Sequence, residues 1–114
     1  MALADRHCVA NRALPRLADA AVEAGLRELP GWAVDGAGAR LERTFRFAGF
    51  KEAMAFVVAM AELAEREGHH PDFSVHWNTV AVTLWTHDAG GLTENDLVLA
   101  ARVGALPQAR GAPT

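Results

Sequence analysis

Two short segments of the 114-residue chain hold the side chains best suited to moving protons: Gly68-His69-His70-Pro71-Asp72-Phe73, and further on Thr86-His87-Asp88-Ala89-Gly90-Gly91-Leu92-Thr93. Three of the five histidines lie in these segments. Imidazole, with an unperturbed pKa of about 6.5, gives or takes a proton near neutral pH. Pro71 biases His70 towards an extended backbone, on which successive side chains point to opposite sides. His69 and His70 are therefore expected to do different jobs, one contacting a substrate while its neighbour orients it or faces another part of the pocket. His87 is expected at the end of a strand whose antiparallel pairing with residues 73–77 returns it towards His70. Taken singly, histidines in loops and at strand ends are ordinarily solvated polar residues. Their combination, on loops placed by rigid elements, points to acid–base chemistry.

Glu65 lies near the end of a long helix, close in sequence to the histidines. It can hydrogen-bond an imidazole and fix its tautomer, although most glutamates so placed are solvated. Asp96 stands at a capping-box position that favours an acidic residue whatever the function. Phe73, Trp77 and Trp85 suit stacking on a flat heterocycle, but strand aromatics more often serve a core or a subunit interface. His69, His70, His76 and His87 are enough in number for a zinc shell. The usual ligand pairs are nevertheless absent, no His-Glu-x-x-His helix occurs, and adjacent histidines on an extended segment diverge, so no metal site is expected. Cys8 sits in a segment without period, and neither a Gly-x-Ser-x-Gly elbow nor a glycine-rich phosphate loop is present, which argues against nucleophilic catalysis and phosphate-loop chemistry.

The elements that must position these residues follow from periodicity. Residues 1–13 carry no clear period and are expected to form a loose arm. Val22, Leu26 and Leu29 share a helical face over 18–29, with Pro30-Gly31 as the stop. Residues 32–34 and 41–47 flank the turn-rich Asp35-Gly36-Ala37-Gly38 and read as a hairpin. Phe50, Ala53, Met54, Val57, Met60, Ala61 and Ala64 give 49–67 a wide apolar helical face, and Gly68 is a natural left-handed cap. Phe73, Val75 and Trp77 then share one side of a strand, Asn78-Thr79 is the expected turn, and Val80, Val82 and Leu84 share one side of the next. Thr93-Glu94-Asn95-Asp96 has the form of a capping box that opens a last helix, with Leu92 able to staple to Leu97. That helix is expected to run to about Leu106, leaving 107–114 as a polar tail. The fold class is therefore α+β, an antiparallel four-stranded sheet with three helices packed on one face, in the order α-β-β-α-β-β-α.

Composition narrows the function. The length fits a single domain over 1–114, and 51% hydrophobic with 22% charged residues is ordinary for a chain that buries a core. A net charge of −3 with scattered Lys and Arg gives no footprint for direct nucleic-acid binding. One cysteine, no apolar run long enough for a bilayer and no signal-peptide core predict a cytoplasmic protein without a membrane partner.

These residues together resemble the pterin-4a-carbinolamine dehydratases. The resemblance rests on Glu65-x-x-x-His69-His70-Pro71-x-Phe73, on Asn78-x-Val80-x-Val82-x-Leu84-x-Thr86-His87-Asp88, and on Gly91-Leu92-Thr93-x-x-Asp96. Leu29-Pro30-Gly31-Trp32 and residues 47–60 are also similar, so it covers roughly residues 17–103. Each piece alone is weak; the His-His-Pro pair combined with the downstream Thr-His and Gly-Leu-Thr is specific.

The resemblance implies dehydration of a 4a-hydroxytetrahydropterin to the quinonoid dihydropterin, the recycling step after aromatic amino acid hydroxylation. It implies His69, His70 and His87 as the catalytic set and Glu65, Pro71, Phe73 and Asp96 as supporting or substrate-binding residues. It further implies a homo-oligomer, tetramer or dimer. The reaction needs only proton transfer, with no metal, redox cofactor or covalent intermediate. Phe73 stands where many members have Trp, and Trp77 where Tyr is frequent, changes that bear on substrate contacts rather than on the acid–base step. The family also implies an alternative, an assembly or binding protein of the same fold: one group assists Rubisco assembly, and an animal member is a dimerisation cofactor for a homeodomain transcription factor. Members of the Rubisco-assembly group tend to lose the histidine set, so its retention here favours the enzyme.

Overall fold

Alternation along two central strands decides the architecture. In the computed structural model, which describes residues 2–9 and 14–110, β2 (Leu41–Arg46) pairs antiparallel with β4 (Thr79–Leu84), matching Leu41 to Leu84 and Phe45 to Val80. Directly paired residues point to the same side of a sheet. Leu41, Phe45, Val80, Val82 and Leu84 thus form one continuous, fully buried face. The short β1 (Ala33–Val34) and the edge strand β3 (Asp72–His76) complete an antiparallel sheet of order β1-β2-β4-β3. Three helices, α1 (Asp19–Leu26), α2 (Phe50–Glu67) and α3 (Glu94–Gly104), cover the apolar face. The expected α+β class and element order are observed.

α2 is the main lid of this core. Its Ala53, Phe56, Val57, Met60, Leu63 and Ala64 are buried, and Phe56 packs on Phe45 with ring centroids 4.6 Å apart. Each such ring contributes about 1.5–3 kcal/mol of burial. α1 approaches α3 so closely that a Cβ at Gly25 would lie 2.8 Å from Leu97 Cδ1, and the Leu97 side chain would have to shift to admit it. Arg43 is the exception on the inner face. Register-matched to Val82, it lays its guanidinium 4.1 Å over the Phe45 ring and leaves Nε buried without a partner among the described residues. Burial lowers its pKa.

Several boundaries differ from expectation, each for a local reason. α1 ends at Leu26 because Glu28 and Leu29 bond back to Gly25 and Leu26 in tight i→i−3 turns ahead of Pro30. The β3–β4 turn is Trp77-Asn78, not Asn78-Thr79. Asn78 exchanges hydrogen bonds with Phe47 at the end of β2, and Trp77 absorbs the turn at φ 53°. α3 stops at Gly104 since Leu106, before Pro107, is extended. Within the segment expected as a polar tail, Pro107–Ala109 forms a 3-10 turn with Ala109 buried; residues 111–114 lie outside the described ones.

The arm departs most from its expected looseness. Over 2–9 it is docked: Leu3 is buried and donates its N–H to Glu28, and Cys8 N–H donates to Glu67. Val9 N–H donates to Asn95 Oδ1. Residues 10–13 lie outside the described ones. No helix among the described residues is long and apolar enough to cross a membrane.

Candidate active site

The end of α2 launches the first two histidines. Gly68 takes a left-handed conformation at φ 68° and its N–H bonds to Ala64 O at 2.9 Å, closing the helix. The chain leaves as His69-His70-Pro71, and the two imidazoles take different carboxyl partners. His69 Nε2 meets Asp96 Oδ1 at 2.6 Å, with side chains 14% and 0% exposed. His70 Nε2 meets Glu65 Oε2 at 2.5 Å, with both side chains exposed. A carboxyl oxygen that accepts from Nε2–H leaves Nδ1 of each ring as the lone-pair nitrogen.

Asp96 serves two purposes at once. As third residue of α3 it closes the capping box, its Oδ2 accepting from Thr93 N–H at 2.9 Å. The same oxygen accepts from Thr86 Oγ1 at 2.7 Å. Its other oxygen is turned to His69. One carboxyl thus caps α3 and holds the His69 ring at once.

His87 lies beyond the strand end where it was expected. β4 finishes at Leu84, and His87–Ala89 is a 3-10 turn enclosed by a bridge between Thr86 and Gly91. Closing that loop at its base holds His87 out over the cleft. Its ring packs against Trp85 with centroids 3.8 Å apart and the two planes tilted by 38°. Trp85 in turn donates Nε1–H to Asp72 Oδ2 at 3.1 Å, and the Arg40 guanidinium lies 4.4 Å from its ring centroid on the indole.

One open cleft of about 780 Å³ is lined by His69, His70, Pro71 and His87, with Asp72 and Trp85 beside them. Asp96 and Glu65 stand behind His69 and His70. Phe73 does not line this cleft; it is paired with Val82 on the edge strand and 47% exposed. Among the described residues, no three His, Cys, Asp or Glu side chains are grouped so as to hold a metal ion.

Sequence reasoning passed over Thr86, whose hydroxyl ties β4 to Asp96, and Val9 and Asn95, which also line the cleft. Thr86 had a signal in its place before His87; Val9 had none. Near them the Cys8 thiol is held protonated, because burial, then the charges of Glu67 and Asp96, push it up to about 12, against a smaller opposing effect of Arg102. Burial would raise the Glu67 carboxyl, but hydrogen bonds from His7 and the Cys8 amide, with the charges of Arg102 and His7, outweigh it and hold the group below its ordinary value.

Known proteins resemble the chain over most of its length. A family model described as pterin 4 alpha carbinolamine dehydratase matches residues 15–106. A Chromobacterium violaceum protein, provisionally named a pterin-4-alpha-carbinolamine dehydratase, is 46% identical over 106 residues, covering 93% of this chain and 96% of its own. A Stenotrophomonas maltophilia protein with the same provisional name is 43% identical over 107 residues, 93% of this chain and 92% of its own. Among solved structures, a transcriptional coactivator/pterin dehydratase from Brucella melitensis superposes with a TM-score of 0.76 at 36% identity, covering 79% of this chain and 96% of that one. A pterin dehydratase-like protein identified as a RuBisCO assembly factor in the alpha-carboxysome superposes at 0.59 with 30% identity, over 68% and 90%.

Proposed function

The chain belongs to the pterin-4a-carbinolamine dehydratase family, and from that membership we propose that it dehydrates a 4a-hydroxytetrahydropterin, with His69, His70 and His87 as proton carriers. The observation that carries this reading is the convergence of three imidazoles on one cleft, two of them backed by carboxyl groups. In the reaction the bond between C4a and the hydroxyl oxygen breaks as a protonated imidazole hands over its proton, and water leaves. A neutral imidazole takes the proton of the adjacent ring nitrogen, whose lone pair closes the new carbon–nitrogen double bond. One proton is given and one taken, so the histidine set returns to its starting charge. Asp96 and Glu65 orient the His69 and His70 rings and fix their tautomers. Trp85 lines the cleft with His87 packed against its ring, so it helps position that imidazole.

The test is a stopped assay on enzymatically generated 4a-hydroxytetrahydropterin, comparing spontaneous with protein-dependent loss of water. Clear acceleration is expected; loss of water at the spontaneous rate sinks the reading. A binding or assembly role is the second reading, favoured by the likeness to the RuBisCO assembly factor and by the exposed apolar edge of Phe73 and Trp77. Those residues, with Phe50 and Val58 exposed on α2, also support a homo-oligomer, tetramer or dimer. Light scattering at micromolar concentration reads that state directly, and a monomer would count against it.

A further inference from the structure

The docked arm supplies part of the cleft that holds the histidines. Among the described residues, Val9 is the one branched aliphatic side chain on the cleft lining, and Asn95 lines it as well. The two are joined by a reciprocal pair: Val9 N–H donates to Asn95 Oδ1 and Asn95 Nδ2–H to Val9 O, each at 2.9 Å. The rest of the segment is pinned so that this contact is kept in place. Leu3 N–H bonds to Glu28, Arg102 donates to Arg6 O, and Glu67 accepts from Cys8 N–H while pairing with His7. Two of these anchors are next to the catalytic candidates in sequence, Glu67 just ahead of Gly68-His69 and Asn95 directly before Asp96. Ordering seven residues costs of order 1–2 kcal/mol each in backbone entropy, and half of Val9 is still left in solvent at 50% exposure. Core packing alone does not account for an apolar side chain held at a cleft by both of its backbone polar groups.

We propose that Val9 is a specificity-determining wall of the substrate site, contacting the part of a reduced pterin remote from the reacting C4a, and that Asn95 is the positioning residue that holds it there. The proposal rests on the dehydratase reading for the identity of the ligand. It goes beyond that reading because residues 3–9 precede the stretch matched by the family model, which begins at residue 15. The wall acts on how firmly the substrate is held. The proton-transfer step is kept by the separate network of Asp96 with Thr86 and Thr93.

Val9→Ala and Asn95→Ala, made in the full chain, are compared with the wild type in the dehydration assay. Equilibrium binding of 7,8-dihydropterin is followed in parallel by tryptophan fluorescence, which needs no turnover. Val9→Ala should raise KM and the dihydropterin Kd about threefold to tenfold and leave kcat within about twofold, since loss of uniform binding moves KM alone. Asn95→Ala should do the same more strongly and also speed hydrogen exchange at the Cys8 and Val9 amides. Asn95→Asp, which keeps an acceptor for Val9 N–H, should recover part of the affinity. KM and Kd unchanged in Val9→Ala, or unchanged in Asn95→Ala while the two amides exchange freely, would overturn the proposal. A wild type that binds dihydropterin without dehydrating its substrate would instead overturn the dehydratase reading, and the binding arm would still decide the role of Val9. A Val9→Ala variant that loses kcat alone also counts against the wall.

Discussion

The two imidazole–carboxyl pairs of the cleft are alike in chemistry and opposite in setting. His69 meets Asp96 at 2.6 Å with side chains 14% and 0% exposed, whereas His70 meets Glu65 at 2.5 Å with side chains 62% and 77% exposed. Distance therefore does not distinguish them; what surrounds the carboxyl does. Asp96 already has two other donors, Thr86 Oγ1 and Thr93 N–H, so its orientation is over-determined and its removal leaves the buried Thr93 N–H unpaired. Glu65 competes with water for its histidine, loses side-chain entropy on pairing and is screened by salt. One pair is built into the fold, and the other can form and break while the fold stands.

Asp96→Ala should break the buried pair with the largest effect. Leaving the Thr93 N–H without its acceptor and removing the cap should cost about 2–4 kcal/mol, and the untethered His69 should cost about 10²-fold in kcat/KM. Urea unfolding and steady-state kinetics on the same preparation check both. A variant with lost activity and unchanged stability would show that cap and site are separable.

His70→Ala should also cut the catalysed rate by about 10²-fold or more, with stability altered by no more than about 0.5 kcal/mol because the ring is exposed. Full activity in this variant and in the double variant with His69→Ala would remove the catalytic assignment. Thr86→Val, which deletes one hydrogen bond to the buried carboxyl, should cost about 1 kcal/mol by urea midpoint and slow turnover severalfold. The exposed partner should matter least. Glu65→Gln is expected to lower kcat/KM by less than about tenfold and stability by no more than a few tenths of a kcal/mol, with the kinetic difference shrinking as salt rises. Equal effects of Glu65→Gln and Asp96→Ala would erase the distinction between the two pairs.

The same contrast separates what could be read in the chain from what could not. The buried half is written locally. Gly68 after the apolar face of α2, the Thr93 to Asp96 capping box, and the alternation of Val80, Val82 and Leu84 are short-range patterns, and each is found where the pattern put it. His69 and His70 take different carboxyl partners but share one cleft. What escaped reading depends on distant partners. Docking of residues 2–9 uses Glu28, Glu67, Asn95 and Arg102, side chains that no periodicity links to the arm. The β3–β4 turn sits one residue early because Asn78 is held by Phe47, a long-range contact that overrode the local preference. Phe73 was grouped with the site on resemblance; it pairs with Val82 on the edge strand, next to Asp72 of the cleft lining.

Because one carboxyl both winds the first turn of α3 and aligns His69, that turn cannot fray while the ring stays aligned. The two losses are a single local opening. Amide exchange at Thr93, whose N–H is held by Asp96 at 2.9 Å, should then run at the same free energy as the reversible loss of activity on warming, ahead of global melting of the sheet. Heat should switch the protein off before it unfolds it.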